Sequence, residues 1–157
     1  MNPMDVGDEL LRVTLQMDLT FRYAAGRYFS HFFRQIKEDR RILGTRCPQC
    51  GKVYLPPRPF CGDCYRRMNE WTEVGPEGTL RGYTVVYFSF HDASLGGVRS
   101  TPFGAGLIQL DGAHTTLNHY LGESDIRKLR IGMRVRPVFK ENREGNIGDI
   151  LYFDLIE

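Results

Sequence analysis

Cys47-Pro48-Gln49-Cys50-Gly51 and Cys61-Gly62-Asp63-Cys64 are the stretches that decide how this chain folds. They hold all four cysteines of the 157 residues, in the pattern C-x2-C-x10-C-x2-C. In a reducing compartment, paired cysteines are metal ligands before they are disulfides. Zinc takes four soft ligands at tetrahedral corners, and two C-x2-C turns supply two thiolates each. Pro48 fixes one φ angle, and Gly51 permits a left-handed turn after the second ligand. Thiolates fill every corner, so no position is left for water or substrate and the expected zinc is structural. Four thiolates on one divalent ion carry −2, which cancels the formal charge of +2.

Upstream, Tyr28, Phe29, Phe32, Phe33 and Ile36 recur at helical spacing within 24–38 and predict an amphipathic helix with an aromatic face. A helix before a small zinc module has little core of its own to join, so these five are candidate partner-interface residues. Earlier still, residues 11–23 alternate apolar and polar, the period of a strand. That strand is read as an edge strand or as an arm that adds to another subunit. The residues before it are acidic and contain no apolar run, so a secretory leader is not expected. No stretch approaches the length of a membrane span. The expected compartment is the cytoplasm.

Downstream, Gly75-Pro76-Glu77-Gly78 breaks the pattern. Beyond it, strands are predicted at 79–88, 103–110, 115–121, 133–139 and 150–156, with one helical turn at 124–129. Five strands with a helical turn after the third fit a small closed barrel of the OB type. The chain is therefore expected to be mainly β: an arm and helix over 1–39, a zinc ribbon over 40–74 and a five-stranded OB barrel over 75–157.

The composition is that of a globular protein, 41% hydrophobic and 25% charged, with 19 aromatic residues. No nucleophile elbow, H-E-x-x-H, phosphate-binding loop or dinucleotide fingerprint is present. His114 and His119 stand at odd separation and do not form a pair. No cysteine is spare to act as a nucleophile. An independent enzyme is thus poorly supported.

A ribbon beside an OB barrel first suggests nucleic-acid binding. Strand-binding OB proteins need positive charge and stacking aromatics on the face of the second and third strands. Residues 100–126 contain no Lys or Arg and carry Asp111, Glu123 and Asp125. Nucleic acid is therefore disfavoured, and a free-standing ribbon/OB nucleic-acid module is kept as the alternative reading. Residues 37–67, by contrast, hold eight Lys/Arg against three acids, a surface suited to some anionic partner.

The order of motifs adds a resemblance. Arg46-Cys47-Pro48-Gln49-Cys50-Gly51 and Pro56-Pro57-Arg58 precede the second cysteine pair. Trp71, Gly78-Thr79-Leu80, Tyr83-Thr84-Val85-Val86 and Pro102-Phe103 follow it, then Leu129-Arg130-Ile131-Gly132-Met133-Arg134-Val135. Over residues 24–157 the chain resembles the zinc-ribbon/OB-fold acyl-CoA-associated family, long catalogued as a domain of unknown function. The resemblance implies a rubredoxin-like ribbon and a non-catalytic subunit beside a thiolase-fold enzyme: a thiolase, acyl-CoA synthase, aldolase or acyltransferase. It implies a hetero-oligomer, two copies of each chain being one arrangement, in which this subunit helps to bind the CoA moiety and close the substrate tunnel. Coenzyme A offers phosphates for arginine and adenine for an aromatic ring. Arg58 is the leading candidate contact, with Arg46, Lys52, Arg66 and Arg67 on the same basic module. Phe103 and Arg99 flank a Gly/Ser-rich loop at 91–101 that could border the channel. A third reading is a pure scaffold whose helix and arm only join subunits.

Overall fold

The computed structural model describes residues 24–92 and 97–156. The strand predicted at 11–23 lies outside them. A single α-helix, α1 (Gly26–Asp39), leads into the ribbon strands β1 (Ile42–Arg46), β2 (Val53–Tyr54) and β3 (Glu70–Val74). The remaining strands are β4 (Gly78–Val86), β5 (His91–Asp92), β6 (Gly97–Val98), β7 (Phe103–Leu110), β8 (Leu117–Leu121), β9 (Arg134–Phe139) and β10 (Ile150–Ile156). A short 3-10 helix, Ile147–Asp149, precedes β10.

The ribbon sheet has the order β2-β1-β3 and is antiparallel throughout. β1 is central and almost wholly buried, so Gly44 is required there. A Cβ at Gly44 would lie 2.7 Å from Val53 Cγ1 and 2.8 Å from the Tyr54 carbonyl oxygen. Five strands close a barrel in the order β10-β8-β7-β4-β9. The parallel β8–β10 contact at Leu121 and Phe153 and the short β4–β9 pairing complete the circuit. Closure leaves no free sheet edge on the barrel. A bulge between Leu80 and Gly82 bends β4 as the barrel closes.

The structure alters two sequence expectations here. The helical turn expected at 124–129 is a non-helical loop. The Glu123 carboxylate accepts the backbone N–H groups of Ser124 and Asp125, and Asp125 accepts that of Arg127, holding the chain in turns. The helical turn between barrel strands comes instead after the fourth, at Ile147–Asp149. There the buried Asp149 carboxylate collects the N–H groups of Glu144, Gly145 and Asn146.

The helix has a core after all. Phe32 and Ile36 are fully buried, in one apolar cluster with Ile42, Val53 and Leu55 of the ribbon and Leu80, Ile108, Leu110 and Phe153 of the barrel. These two residues are thus core rather than partner-facing, because ribbon and barrel pool their apolar surface under the helix. Arg143, in the loop before the 3-10 helix, donates to the Lys37 carbonyl at 2.7 Å and ties the barrel to the end of α1. At the ribbon's outer strand the fit is reciprocal. The Thr115 hydroxyl bonds both the N–H and the C=O of Leu55 at 2.7 Å. The His114 backbone N–H donates to the Val53 carbonyl, while His114 Nδ1 accepts the Val53 N–H. Residues 114–115 thereby satisfy the edge that β2 would otherwise leave open.

This division of α1 into a core face and an outer face is measurable. Phe32→Ala should lower the unfolding free energy by about 3–5 kcal/mol. Phe29→Ala, at a ring 38% exposed, should cost about 1 kcal/mol or less. Equal losses in chemical denaturation would contradict the single shared core.

Candidate metal centre and basic surface

The two cysteine turns are built alike. In each, the residue after the second cysteine has positive φ: Gly51 at 73° and Tyr65 at 55°. In each, that residue donates its N–H to the carbonyl of the first cysteine, Gly51 to Cys47 at 3.0 Å and Tyr65 to Cys61 at 3.1 Å. In each, the second cysteine's N–H points at the first one's sulfur, at 3.5 Å for Cys50 and 3.4 Å for Cys64. The glycine at 51 was legible in the sequence. Tyr65 was not, because a tyrosine does not announce a left-handed position.

The four Sγ atoms lie within 4.8 Å of one another, and Cys50 and Cys61 are 3.7 Å apart. Four sulfurs at about 2.3 Å from a tetrahedral ion stand roughly 3.8 Å apart, so the donor set fits such an ion. Tyr54 buttresses the site. Its hydroxyl accepts the Gly62 N–H and carries one proton, within reach of Asp63 at 2.7 Å and of Cys61 Sγ at 3.4 Å. With the N–H groups of Cys64 and Asp63, that hydroxyl holds the Cys61 thiol below its usual range. Contact with the Cys50 sulfur, together with burial, pushes Cys64 up to about 12. Like charges so close cannot all ionise unless a cation joins them.

The basic residues do not converge on one spot. Arg46 pairs with Glu70 at 3.3 Å, and Lys52 with Asp63 at 3.0 Å. Arg66 donates to the Gln49 side chain. Arg58 is exposed, lies 5.6 Å over the Tyr54 ring and has its backbone pinned by the Thr45 hydroxyl. Arg67 lies apart from these, in an open cleft of about 710 Å³ that it shares with Arg27, Arg34, His31 and Trp71. Sequence reading missed this cleft because its arginines stand far apart in the chain.

Phe103 is on the barrel, in a ladder of rings. Phe88 and Phe90 are 6.3 Å apart, Phe90 and Phe103 5.9 Å, and Phe103 and Tyr120 5.5 Å. Arg99 stacks 3.8 Å over Tyr120. The outer end of the ladder is a rim in which Tyr87 and Phe88 are 65% and 70% exposed. The strand predicted to run to residue 88 stops at Val86, which turns these rings outward. Of the predicted interface set, Phe29 is exposed, Phe33 is partly packed against the core, and Tyr28 donates to the Met68 carbonyl.

His119 is buried against Phe153. Its Nδ1 accepts the Tyr120 N–H and its Nε2 faces the Ile147 carbonyl, which fixes the neutral Nε2–H tautomer. Burial also holds its pKa below the usual value. The acids of 100–126 are not a bare negative face, because Asp111, Glu123 and Asp125 pair with Arg134, Lys128 and Arg127. Every one of those partners lies outside the segment.

Two family models divide the chain. The rubredoxin-like zinc ribbon domain of ChsH2 matches residues 34–69, and the C-terminal OB-fold domain of ChsH2 matches 71–140. A curated "DUF35 domain-containing scaffold protein" of Methanocaldococcus jannaschii is 34% identical over 122 residues, covering 76% of this chain and 83% of the relative. This chain belongs to the DUF35 family. A DUF35 scaffold protein of Methanothermobacter thermautotrophicus is 29% identical, covering 76% of this chain and 88% of its own length. Among solved structures, a chain of the Ltp2–ChsH2(DUF35) aldolase superposes with a TM-score of 0.63 at 26% identity, over 85% of this chain and 98% of that one. A DUF35 protein of unknown function from Sulfolobus solfataricus superposes at 0.56 with 20% identity, over 80% and 81% of the two chains, and shares the fold. The ribbon thus matches a zinc ribbon domain in sequence, and its four sulfurs are placed to hold a metal ion. No described helix is long and apolar enough to cross a membrane.

A metal held by four thiolates competes with four protons. The folded, loaded state binds fewer protons than the unfolded chain, so the metal's contribution to stability grows with pH and is lost on acidification. Purified protein should contain about one zinc per chain, released as pH falls below neutral, and Cys47→Ser should abolish it. Unchanged zinc content in Cys47→Ser, measured by elemental analysis, would contradict the four-sulfur centre.

Proposed function

We propose that this DUF35 chain is a non-catalytic accessory subunit of a thiolase-fold acyl-CoA enzyme, and that it works in a hetero-oligomer. The observation that carries this reading is the likeness, over 98% of its length, to the chain from the Ltp2–ChsH2(DUF35) aldolase. The name scaffold protein given to both archaeal relatives supports it. So does the chemistry of the chain: all four cysteines are committed to one metal centre, and His119 is buried with both ring nitrogens engaged.

In this reading the zinc is structural. It fixes the ribbon so that basic side chains are presented at set positions to the anionic end of CoA. The reacting cysteine and histidines belong to the partner. The rim of Tyr87, Phe88 and Phe90, exposed just beyond the end of β4, is the surface suited to that partner, and the ladder from Phe88 to Tyr120 runs from it along the barrel. A subunit seated there would help to close a substrate tunnel against the barrel wall.

Affinity purification of the full chain from its native organism tests this. A thiolase-fold protein should co-elute in stoichiometric amount. The double variant Tyr87→Ser/Phe88→Ser should fold with normal zinc content and lose at least tenfold of that partner, since well-packed aromatic anchors carry a large share of interface energy. Elution of a lone chain, or of a chain bound to nucleic acid, would contradict the subunit reading.

A further inference from the structure

The cleft between α1 and β3 has a composition that the ribbon and barrel do not explain. Arg27, His31 and Arg34 stand at i, i+4 and i+7, on the face of α1 opposite Phe32 and Ile36. Arg67 enters from the ribbon loop, and Trp71 from the edge strand β3. Among the described residues no carboxylate lines the cleft, and none of the three guanidiniums makes an ion pair or hydrogen bond. Arg41, Arg46, Lys52, Arg127, Lys128 and Arg134 are each paired with an acid, and what sets the cleft apart is that three guanidiniums without an acid line one space. Three uncompensated arginines facing one space repel one another and favour an anion between them. The rings supply a second, different preference. Trp71 packs against His31 at 4.5 Å and Tyr28 at 5.7 Å, an aromatic wall beside the guanidinium groups. A flat ring can lie on such a wall while its phosphates meet bidentate arginines.

We infer that this cleft binds the phosphorylated adenosine end of coenzyme A, with Arg27, Arg34 and Arg67 on the phosphates and Trp71 against the adenine. The inference rests on the acyl-CoA reading above and places its anionic contact on the helix side of the ribbon, not around Arg58. Of the basic residues expected from sequence, only Arg67 belongs to this group.

Trp71 is the single tryptophan of the chain, so intrinsic fluorescence reports from the cleft itself. The zinc-loaded full chain is titrated with CoA, 3′-phosphoadenosine 5′-phosphate, pantetheine and inorganic pyrophosphate. CoA and the bisphosphorylated adenosine should change Trp71 emission saturably. Pantetheine should not, and pyrophosphate should bind at least tenfold more weakly than CoA. Raising salt should weaken the binding. Arg34→Ala and Arg67→Ala should each weaken CoA by roughly tenfold or more, the scale of a lost charge-assisted contact. Both side chains are exposed, and unchanged zinc content and circular dichroism verify folding. Equal binding of pyrophosphate and CoA would overturn the nucleotide site in favour of a general anion site. CoA binding lost in Arg58→Ala but kept in both cleft variants would overturn the cleft while leaving the CoA role standing. No response to millimolar CoA by fluorescence or calorimetry would overturn the site outright, whereas co-elution with a thiolase-fold partner would still stand or fall by itself.

Discussion

Four sulfur atoms within 4.8 Å of one another form the constraint on which the ribbon depends. Around them the ribbon has a small local core of Cys47, Tyr54, Cys61 and Met68. That is far less than an independent module needs, and a metal held by the four thiolates would supply the missing free energy. Closing the cluster fixes both cysteine turns, which in turn set the register of β1 against β2 and β3. It also aims Asp63 at Tyr54 and Lys52, and Arg66 at Gln49. Asp63, Lys52 and Arg66 thereby become structural ties.

From the ribbon, order passes outward by two routes. The apolar inner side of β1 and β2 receives Phe32 and Ile36 from the helix and continues without a break into the barrel interior. The outer edge of β2 is closed by His114 and Thr115. Helix, ribbon and barrel therefore share one large apolar core, with the small cysteine-centred cluster of the ribbon beside it. A chain so joined suits a scaffold: it can present an aromatic rim on the barrel and a basic cleft beside the helix at a fixed separation.

Much of this was legible in the sequence, and the gaps have physical causes. The cysteine spacing pointed to the ribbon without help from anything else. Strands Phe103–Leu110 and Ile150–Ile156 fall where their apolar runs placed them: Pro102 and Asp111-Gly112 bound the first, and Gly145-Asn146 precedes the second. The ribbon strands were not resolved individually; Val53–Tyr54 is too short to show a period. Phe32 and Ile36 look partner-facing in the sequence because it does not reveal that ribbon and barrel share a core. Charge counted along 100–126 leaves out the partners of its acids for a related reason, since Arg134, Lys128 and Arg127 return to them from outside the segment. The cleft was invisible because folding assembles it from positions 27, 34 and 67. Where chemistry depended on neighbours in the chain, the sequence was enough. Where it depended on neighbours in space, the structure was needed.

In the proposed reading, this chain serves a separate acyl-CoA enzyme. The most direct test is kinetic: the partner's turnover of its acyl-CoA substrate, measured alone and after reconstitution with the zinc-loaded chain. The account predicts a lower KM for acyl-CoA in the complex, with the gain lost when zinc is stripped from the ribbon. Identical kcat and KM with and without the chain would contradict it.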